Sequence, residues 1–296
     1  MVQLTQFRDR VTGEAVTERV FGEKALNRLY WTAAGRLALD LLLSRPFASS
    51  IYGWLQRRSA SRRKIAAFVS SLGIDASEAE FPLDAYRCLD DFFVRRLKLG
   101  TRPIDRNPAH FISPSDGRVL VYPSTSDASL LKVKGSDLCI PTLVGDAQLA
   151  REYAGAAVVV LRLAPADYHR FHFPEDGIAS PSVPVNGPLH SVHPIALSSG
   201  APTFKNKRVI TGLQTRTWGL VTIVEIGALS VGTIVQTYQP GPVQRGQEKG
   251  FFRFGGSSIV VLVPAGKVKF DSDLVASSSE GMETYLKIGT RIGERA

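Results

Sequence analysis

Three short polar clusters carry the residue types that could do chemistry in this chain. The first is Arg253-Phe254-Gly255-Gly256-Ser257-Ser258. Two glycines give the backbone freedom closed to other residues. The run Ile259-Val260-Val261-Leu262-Val263, closed by Pro264, then predicts a buried strand. A serine at such a bend can turn its hydroxyl onto the preceding peptide bond. The motif alone reads most simply as a tight turn entering a strand. The sharper reading is self-cleavage: Ser257 Oγ attacks the Gly256 carbonyl, elimination leaves dehydroalanine, and hydrolysis leaves a pyruvoyl group heading a new chain.

The second cluster is Ser113-Pro114-Ser115-Asp116-Gly117-Arg118, a turn with an acid at its tip. The third, Asp167-Tyr168-His169-Arg170-Phe171-His172-Phe173-Pro174, holds two of only five histidines. On a strand their offset of three puts them on opposite faces, whereas a turn could bring both toward one site. Aspartate, histidine and serine can together form a triad: Asp116 orients an imidazole, His172 takes the proton, and Ser257 attacks. A serine hydrolase would also use that order, but Ser257 opens a strand and no glycine lies two positions after it. His190 and His193 could complete a metal site with His169 and His172 only at spacings too loose for a familiar ligand set, so no metal is expected.

The elements around these clusters change character along the 296 residues. Two cysteines, Cys88 and Cys139, are too few for a disulfide framework. No charged-then-apolar leader follows Met1, and no apolar run reaches the roughly 18 residues of a spanning helix. Much of the net charge of +9 lies between residues 20 and 64, where nine cations face two acids. Leu26, Leu29, Tyr30, Ala33, Leu37 and Leu41 recur at helical spacing, and Phe47, Ile51, Trp54 and Leu55 form a second stripe before Arg57-Arg58. Such helices either pack on the protein's own core or lie in a lipid interface. Nucleic acid is disfavoured, because no recognition motif accompanies the charge. Further helices are predicted over Ile65–Leu72, stopped by Gly73, and over Asp90–Lys98. Strands are predicted at Val119–Tyr122, Ala157–Leu163, Arg208–Thr211, Leu220–Glu225, Ser230–Thr237 and Ile259–Val263. The expected fold is α+β: N-terminal amphipathic helices (1–98), then a mainly antiparallel sandwich or barrel-like catalytic domain (99–296).

Taken together, the clusters resemble the phosphatidylserine decarboxylase proenzymes, whose members carry a P-x-D-G turn, a D-Y-H-R-x-H-x-P segment and an L-G-S-T or G-G-S-T cleavage motif. Here these stand as Pro114-Ser115-Asp116-Gly117, Asp167 through Pro174, and Gly255-Gly256-Ser257-Ser258. The likeness continues through Asp91-Phe92-Phe93-Val94-Arg95-Arg96-Leu97-Lys98, Arg102-Pro103-Ile104, Lys134-Gly135, Asn206-Lys207-Arg208, Val224-Glu225-Ile226-Gly227-Ala228 and Lys249-Gly250 with Phe252. It spans about residues 65 to 270 in order. Ser258 stands in place of the usual threonine, and Asp137-Leu138-Cys139 departs from an aromatic-rich family segment.

The resemblance implies a covalent pyruvoyl cofactor made from Ser257, with residues 1–256 forming the β chain and 257–296 the α chain. Asp116 and His172 would complete the triad for self-cleavage, and His169 would assist substrate binding or decarboxylation. It further implies conversion of phosphatidylserine to phosphatidylethanolamine and CO2, a phospholipid partner, and a homodimer of β/α heterodimers. The expected location is peripheral, on the cytoplasmic face of a bacterial inner membrane, where basic helices would meet an anionic leaflet. The alternatives are a pyruvoyl decarboxylase of a soluble amino acid, a serine hydrolase built on Asp116, His172 and Ser257, and a non-enzymatic membrane adaptor.

Overall fold

Four runs rich in apolar and β-branched residues make the centre of the molecule. In the computed structural model, which describes residues 5–19, 23–39, 51, 53–125, 130–229, 233–255 and 257–296, they lie side by side. Leu220–Ile226, Ser257–Val263, Ala157–Leu163 and Gly117–Tyr122 are adjacent antiparallel strands. Their side chains alternate between two apolar layers. Val159, Leu161, Ile259 and Val261 join Phe111, Phe171 and Trp218 on one side. Val158, Val160, Val260 and Leu262 join Leu138, Leu143 and Tyr153 on the other. Burial on both faces explains why these runs are apolar throughout rather than alternating.

The four strands belong to an eleven-stranded sheet whose path runs from Gly241–Val243 at one edge to Ala15–Thr17 at the other. Its pairs are antiparallel, apart from Gln6–Asp9 beside Glu283–Leu286. The path does not return on itself, which corrects the barrel-like expectation: the sheet is open. Strand periodicity specifies which faces are buried, but it says nothing about whether two distant edges meet. A three-stranded sheet of Ile234–Gln236, Glu248–Phe252 and Arg170–His172 covers one face through Phe171 and Phe252. A second unites Val268–Phe270, Arg291–Arg295 and His110–Ile112.

The N-terminal part is helical, with two unexpected strands, Gln6–Asp9 and Ala15–Thr17, ahead of the helices. The single helix expected from Leu26 to Leu41 is divided into Glu23–Trp31 and Ala33–Ala38. Thr32 makes the break by accepting the Gly35 N–H at 3.0 Å. Tyr30 and Leu39 are buried beside Ile195, Ala196 and Ala201, with Leu26 and Leu29 packed against them. This face therefore lies on the protein itself, while Trp31 and Leu37 remain exposed. Of the second stripe, Phe47 lies outside the described residues, as does Leu41 of the first, and Ile51, Trp54 and Leu55 are exposed. Ile65–Leu72 forms as expected, ended by Gly73 in the left-handed region.

The helix expected over Asp90–Lys98 is only Leu89–Phe93. Beyond it the chain is drawn into extended pairing, with Glu80 N donating to Arg96 O and Lys98 N to Glu78 O, both at 2.9 Å. The strand expected over Ser230–Thr237 is Ile234–Gln236, residues 230–232 lying outside those described. Phe92 and Phe93 pack with Phe68, Leu72 and Phe254, so the helical part sits against the loop that enters the Ser257 strand.

Candidate active site

Register places the ends of three strands together. Arg118, Arg162 and Ser258 form one row across the sheet. Asp116 therefore precedes the Gly117–Tyr122 strand at the same end where Ser257 opens its own. Two strand spacings, roughly 10 Å, separate their backbones. Gly117 is needed there: at φ 152° a Cβ would lie 2.8 Å from Arg162 O. The turn after the Ala157–Leu163 strand, running from Ala164 to Tyr168, brings His169 to the same end.

Ser257 is fully buried, and its Oγ has no hydrogen-bond partner among the described residues. An unpartnered buried hydroxyl costs free energy and marks a place where function overrides stability. Gly255, two residues earlier, takes φ 132°, a conformation open essentially to glycine alone. Asp90 holds the incoming loop from the Leu89–Phe93 helix, accepting from Phe254 N at 3.0 Å and pairing with Arg253 at 2.6 Å. Gly256, the expected electrophile, lies outside the described residues.

His169 is closed in as completely as Ser257. Its Nδ1–H donates to the Asp167 carbonyl at 3.0 Å, so Nε2 carries the lone pair and meets no hydrogen-bond partner among the described residues. Its ring lies 4.0 Å from that of Phe93, and the Gly255 backbone influences its charge. Burial holds the imidazole pKa down to about 3, with Arg95 and Arg118 adding to the shift. It is therefore a neutral base at physiological pH.

His172 lies in the Arg170–His172 strand, opposite Glu248. Its N–H donates to Pro114 O at 2.8 Å, which ties it to the Asp116 turn through the backbone. Its Nδ1 has no hydrogen-bond partner among the described residues, and burial lowers its pKa to about 4 against the pull of Glu248. Asp116 is engaged elsewhere. Arg102 grips its carboxylate through Nε and Nη2 at 2.8–3.0 Å, and Ile288 N donates to it at 2.8 Å. Burial still raises its pKa against Arg102. The three clusters thus converge on one end of the sheet. Among the described residues, however, no hydrogen bond joins Asp116, His172 and Ser257, and the imidazole beside the Gly255 turn is that of His169.

Behind this end lies a buried charge cluster that the sequence reading did not single out. Arg162 makes two-pronged contacts to Glu18 at 2.9 and 3.0 Å and to Glu283 at 2.6 and 2.9 Å. Arg118 reaches Asp167 and, at 3.3 Å, Glu18. Burial would raise Glu18, but Arg162 and Arg118 bring it down to about 2. A visible signal existed in Arg162, a charge inside the otherwise apolar run Ala157–Leu163. Nothing local marked Glu18 or Glu283 as its counterparts. His193 stands 3.7 Å from Glu18, and no group of three or more potential metal ligands occurs among the described residues.

Comparison with known proteins gives one consistent result. The family model described as phosphatidylserine decarboxylase matches residues 89–294. A phosphatidylserine decarboxylase proenzyme of Chlamydia felis is 43% identical over 290 residues, which is 97% of each chain. That of Chlamydia pneumoniae is 42% identical over 99% of this chain and 98% of its own. That of Ruminiclostridium cellulolyticum is 39% identical over 98% and 97%.

Proposed function

The chain belongs to the phosphatidylserine decarboxylase family, and from that membership we propose that it cuts itself between Gly256 and Ser257 and then converts phosphatidylserine to phosphatidylethanolamine and CO2. The observation that carries this reading is the buried Ser257 Oγ, without a partner among the described residues, heading a central strand two residues after the positive-φ Gly255. In self-cleavage the Oγ–carbonyl bond forms as the Gly256–Ser257 C–N bond breaks. Elimination then frees the Gly256 carboxylate, and water replaces the serine nitrogen, which leaves as ammonia. His172, neutral and unpartnered at Nδ1, is suited to take the Ser257 proton, and Asp116 to favour the resulting cation. For this Asp116 must leave Arg102 and Ile288 N, and His172 must come within hydrogen-bond reach of Ser257.

The residues present fit a serine-derived pyruvoyl group: Ser257 Oγ and His169 Nε2 are both buried and without a hydrogen-bond partner among the described residues. Such a group supplies the electron-accepting carbonyl that lets an amino acid lose CO2. The chain's own part is to hold the substrate amine and carboxylate near position 257, exclude water, and move a proton through His169 Nε2 to the substrate α carbon.

Cleavage would leave residues 257–296 firmly attached. Ser257–Val263 lies between Leu220–Ile226 and Ala157–Leu163, Glu283–Leu286 between Gln6–Asp9 and Gly117–Tyr122. The division into a membrane-associating region (1–98) and a catalytic region (99–296) belongs to the same proposal. Trp31, Leu37, Ile51, Trp54 and Leu55 are exposed on a segment rich in arginine. No helix among the described residues is long and apolar enough to cross a membrane. We therefore propose a peripheral place on an anionic leaflet; the cytoplasmic face of a bacterial inner membrane and the homodimer of β/α pairs are proposed from the family likeness alone.

Intact-mass analysis tests the chemistry. Two fragments divided after Gly256 are expected, the smaller lacking its amino nitrogen, together with CO2 release from phosphatidylserine vesicles. A single intact chain that still releases CO2 overturns the reading. Light scattering tests the assembly, with a mass of twice 32.2 kDa expected.

A further inference from the structure

Arg118 and Arg162 are register partners in neighbouring strands, two guanidinium groups on one face of a buried sheet. Like charges placed so repel. The Glu18 carboxylate lies against both, gripping Arg162 in a two-pronged contact and approaching Arg118 Nε at 3.3 Å. The Phe7 and Tyr285 rings flank Arg118, their centroids 4.7 and 5.3 Å from its guanidinium carbon. Arg118 Nη1 is left to donate to Asp167 Oδ2. That same oxygen accepts the Ala164 N–H at 2.6 Å, and Asp167 N donates back to Ala164 O at 2.9 Å. The turn is therefore closed twice over, and the Asp167 carbonyl, which Arg95 Nη2 approaches at 3.5 Å, receives the His169 Nδ1 proton.

We propose that Glu18, Arg118 and Asp167 form a positioning clamp for His169, which fixes the turn so that Nδ1 bears the proton and Nε2 faces the Ser257 end of the sheet bare. None of the three need touch substrate. Glu18 keeps Arg118 in place against the repulsion of Arg162, Arg118 holds the Asp167 carboxylate, and the Asp167 backbone sets the tautomer. Tautomer control through a hydrogen bond on the far nitrogen is a general way to make one imidazole nitrogen the working base. The significance for turnover rests on the reading of His169 as a group of the decarboxylation site.

The test uses matured enzyme, with pyruvoyl content checked by mass, in four forms: Arg118→Lys, Asp167→Asn, the double variant, and the isosteric Glu18→Gln. Nitrogen-15 NMR of histidine-labelled protein, with the His169 signals identified from a His169→Gln variant, reads the tautomer directly. The native enzyme is expected to show a single Nδ1–H form. Arg118→Lys and Asp167→Asn are expected to show mixed tautomers and a kcat roughly 10- to 100-fold lower, with KM for phosphatidylserine vesicles changed less than about twofold. The double variant should be no worse than the poorer single, because the residues act in series. Glu18→Gln should lose about 3- to 10-fold in the same direction, and it retains shape should the others fold poorly. An unchanged single tautomer in the variants, or losses that multiply in the double, overturns the clamp. A shifted tautomer with unchanged turnover upholds the clamp and sinks the role given to His169.

Discussion

Ser257 and Ser258 are neighbours on one strand, yet they face opposite worlds. Ser257 stands in register with Leu163, on the side where Ile259 and Val261 meet an apolar layer, and its hydroxyl has no partner among the described residues. Ser258 stands in the row of Arg162 and Arg118, where Glu18, Glu283 and Asp167 answer both guanidinium groups. One side leaves a polar atom unsatisfied in a dry place, and the other satisfies many at once. On our reading the unsatisfied hydroxyl is the group that reacts, and the ion cluster is the part that holds still.

The largest expected effect separates these two sides chemically. Ser257→Ala should leave a single chain of 296 residues with no CO2 release from phosphatidylserine vesicles. Ser258→Ala should still be cut, within about tenfold of the native rate, since its role is confined to the strand's far side. Gel electrophoresis over a time course reads both, and equal loss in the two variants would break the comparison.

The second prediction sharpens the contrast as stability. In the uncut Ser257→Ala background, Arg162→Ala leaves Glu18 and Glu283 buried with one cation fewer and should cost about 3–5 kcal/mol. Urea unfolding of the uncut Ser257→Ala chain with and without Arg162→Ala measures this cost as a shift of the midpoint. A shift worth less than about 1 kcal/mol would show that the charge cluster does not hold this end of the sheet.

How much of this could be read in advance follows the same division. The Ala157–Leu163 strand was legible to its bounds because an all-apolar run has one good solution, a strand buried on both faces. Ser257, Asp116, His172 and His169 could be singled out as candidates because their motifs are local, and strand register gathers those motifs at one end of the sheet. Partners distant in sequence were not: Glu18 meets Arg162 across 144 positions, and nothing near either names the other. Open against closed sheet was illegible for a related reason, since it depends on edges rather than on any one strand. The end of the Leu89–Phe93 helix was hidden too, because pairing of residues 96–98 with 78–80 overrode a helical spacing.

The third prediction concerns acid. Burial holds His169 to about 3 and His172 and His193 to about 4, against an ordinary value of 6.5. As pH falls below 6.5 the unfolded chain takes up these protons and the folded chain does not. The unfolded state then binds more protons, so stability falls as pH drops from about 6.5 toward 4. Glu18, held to about 2 against 4.5, adds its own loss from about pH 4.5 downward. His193 lies among Glu18, Arg162, Glu283 and Lys134, behind the saturated side. In the uncut background His193→Gln should remove one histidine from the slope, flattening it by up to about 1.4 kcal/mol per pH unit. Superimposable profiles with and without His193 would show that it is not protected from protonation by the fold.

The smallest effect belongs to the region most unlike the sheet end. Trp31 and Trp54 are 57% and 47% exposed, the reverse of the fully buried Ser257 and His169. A large aromatic ring left in water, with Arg58 stacked 4.1 Å from the Trp54 ring, gains by entering a lipid interface while the guanidinium stays at the headgroups. The inward face of the Glu23–Trp31 helix is already committed to Ile195 and Ala196, so only its outer residues can contribute. Each tryptophan replaced by alanine should therefore weaken sedimentation with anionic vesicles by about 1 kcal/mol, roughly fivefold, less than full burial of the ring would give. Added salt should weaken the native protein and both variants alike, because the arginines are untouched. Cleavage and fragment association should be unaffected, as neither ring touches the sheet end. Unchanged vesicle binding in the double variant Trp31→Ala/Trp54→Ala would move the lipid-facing surface away from these helices.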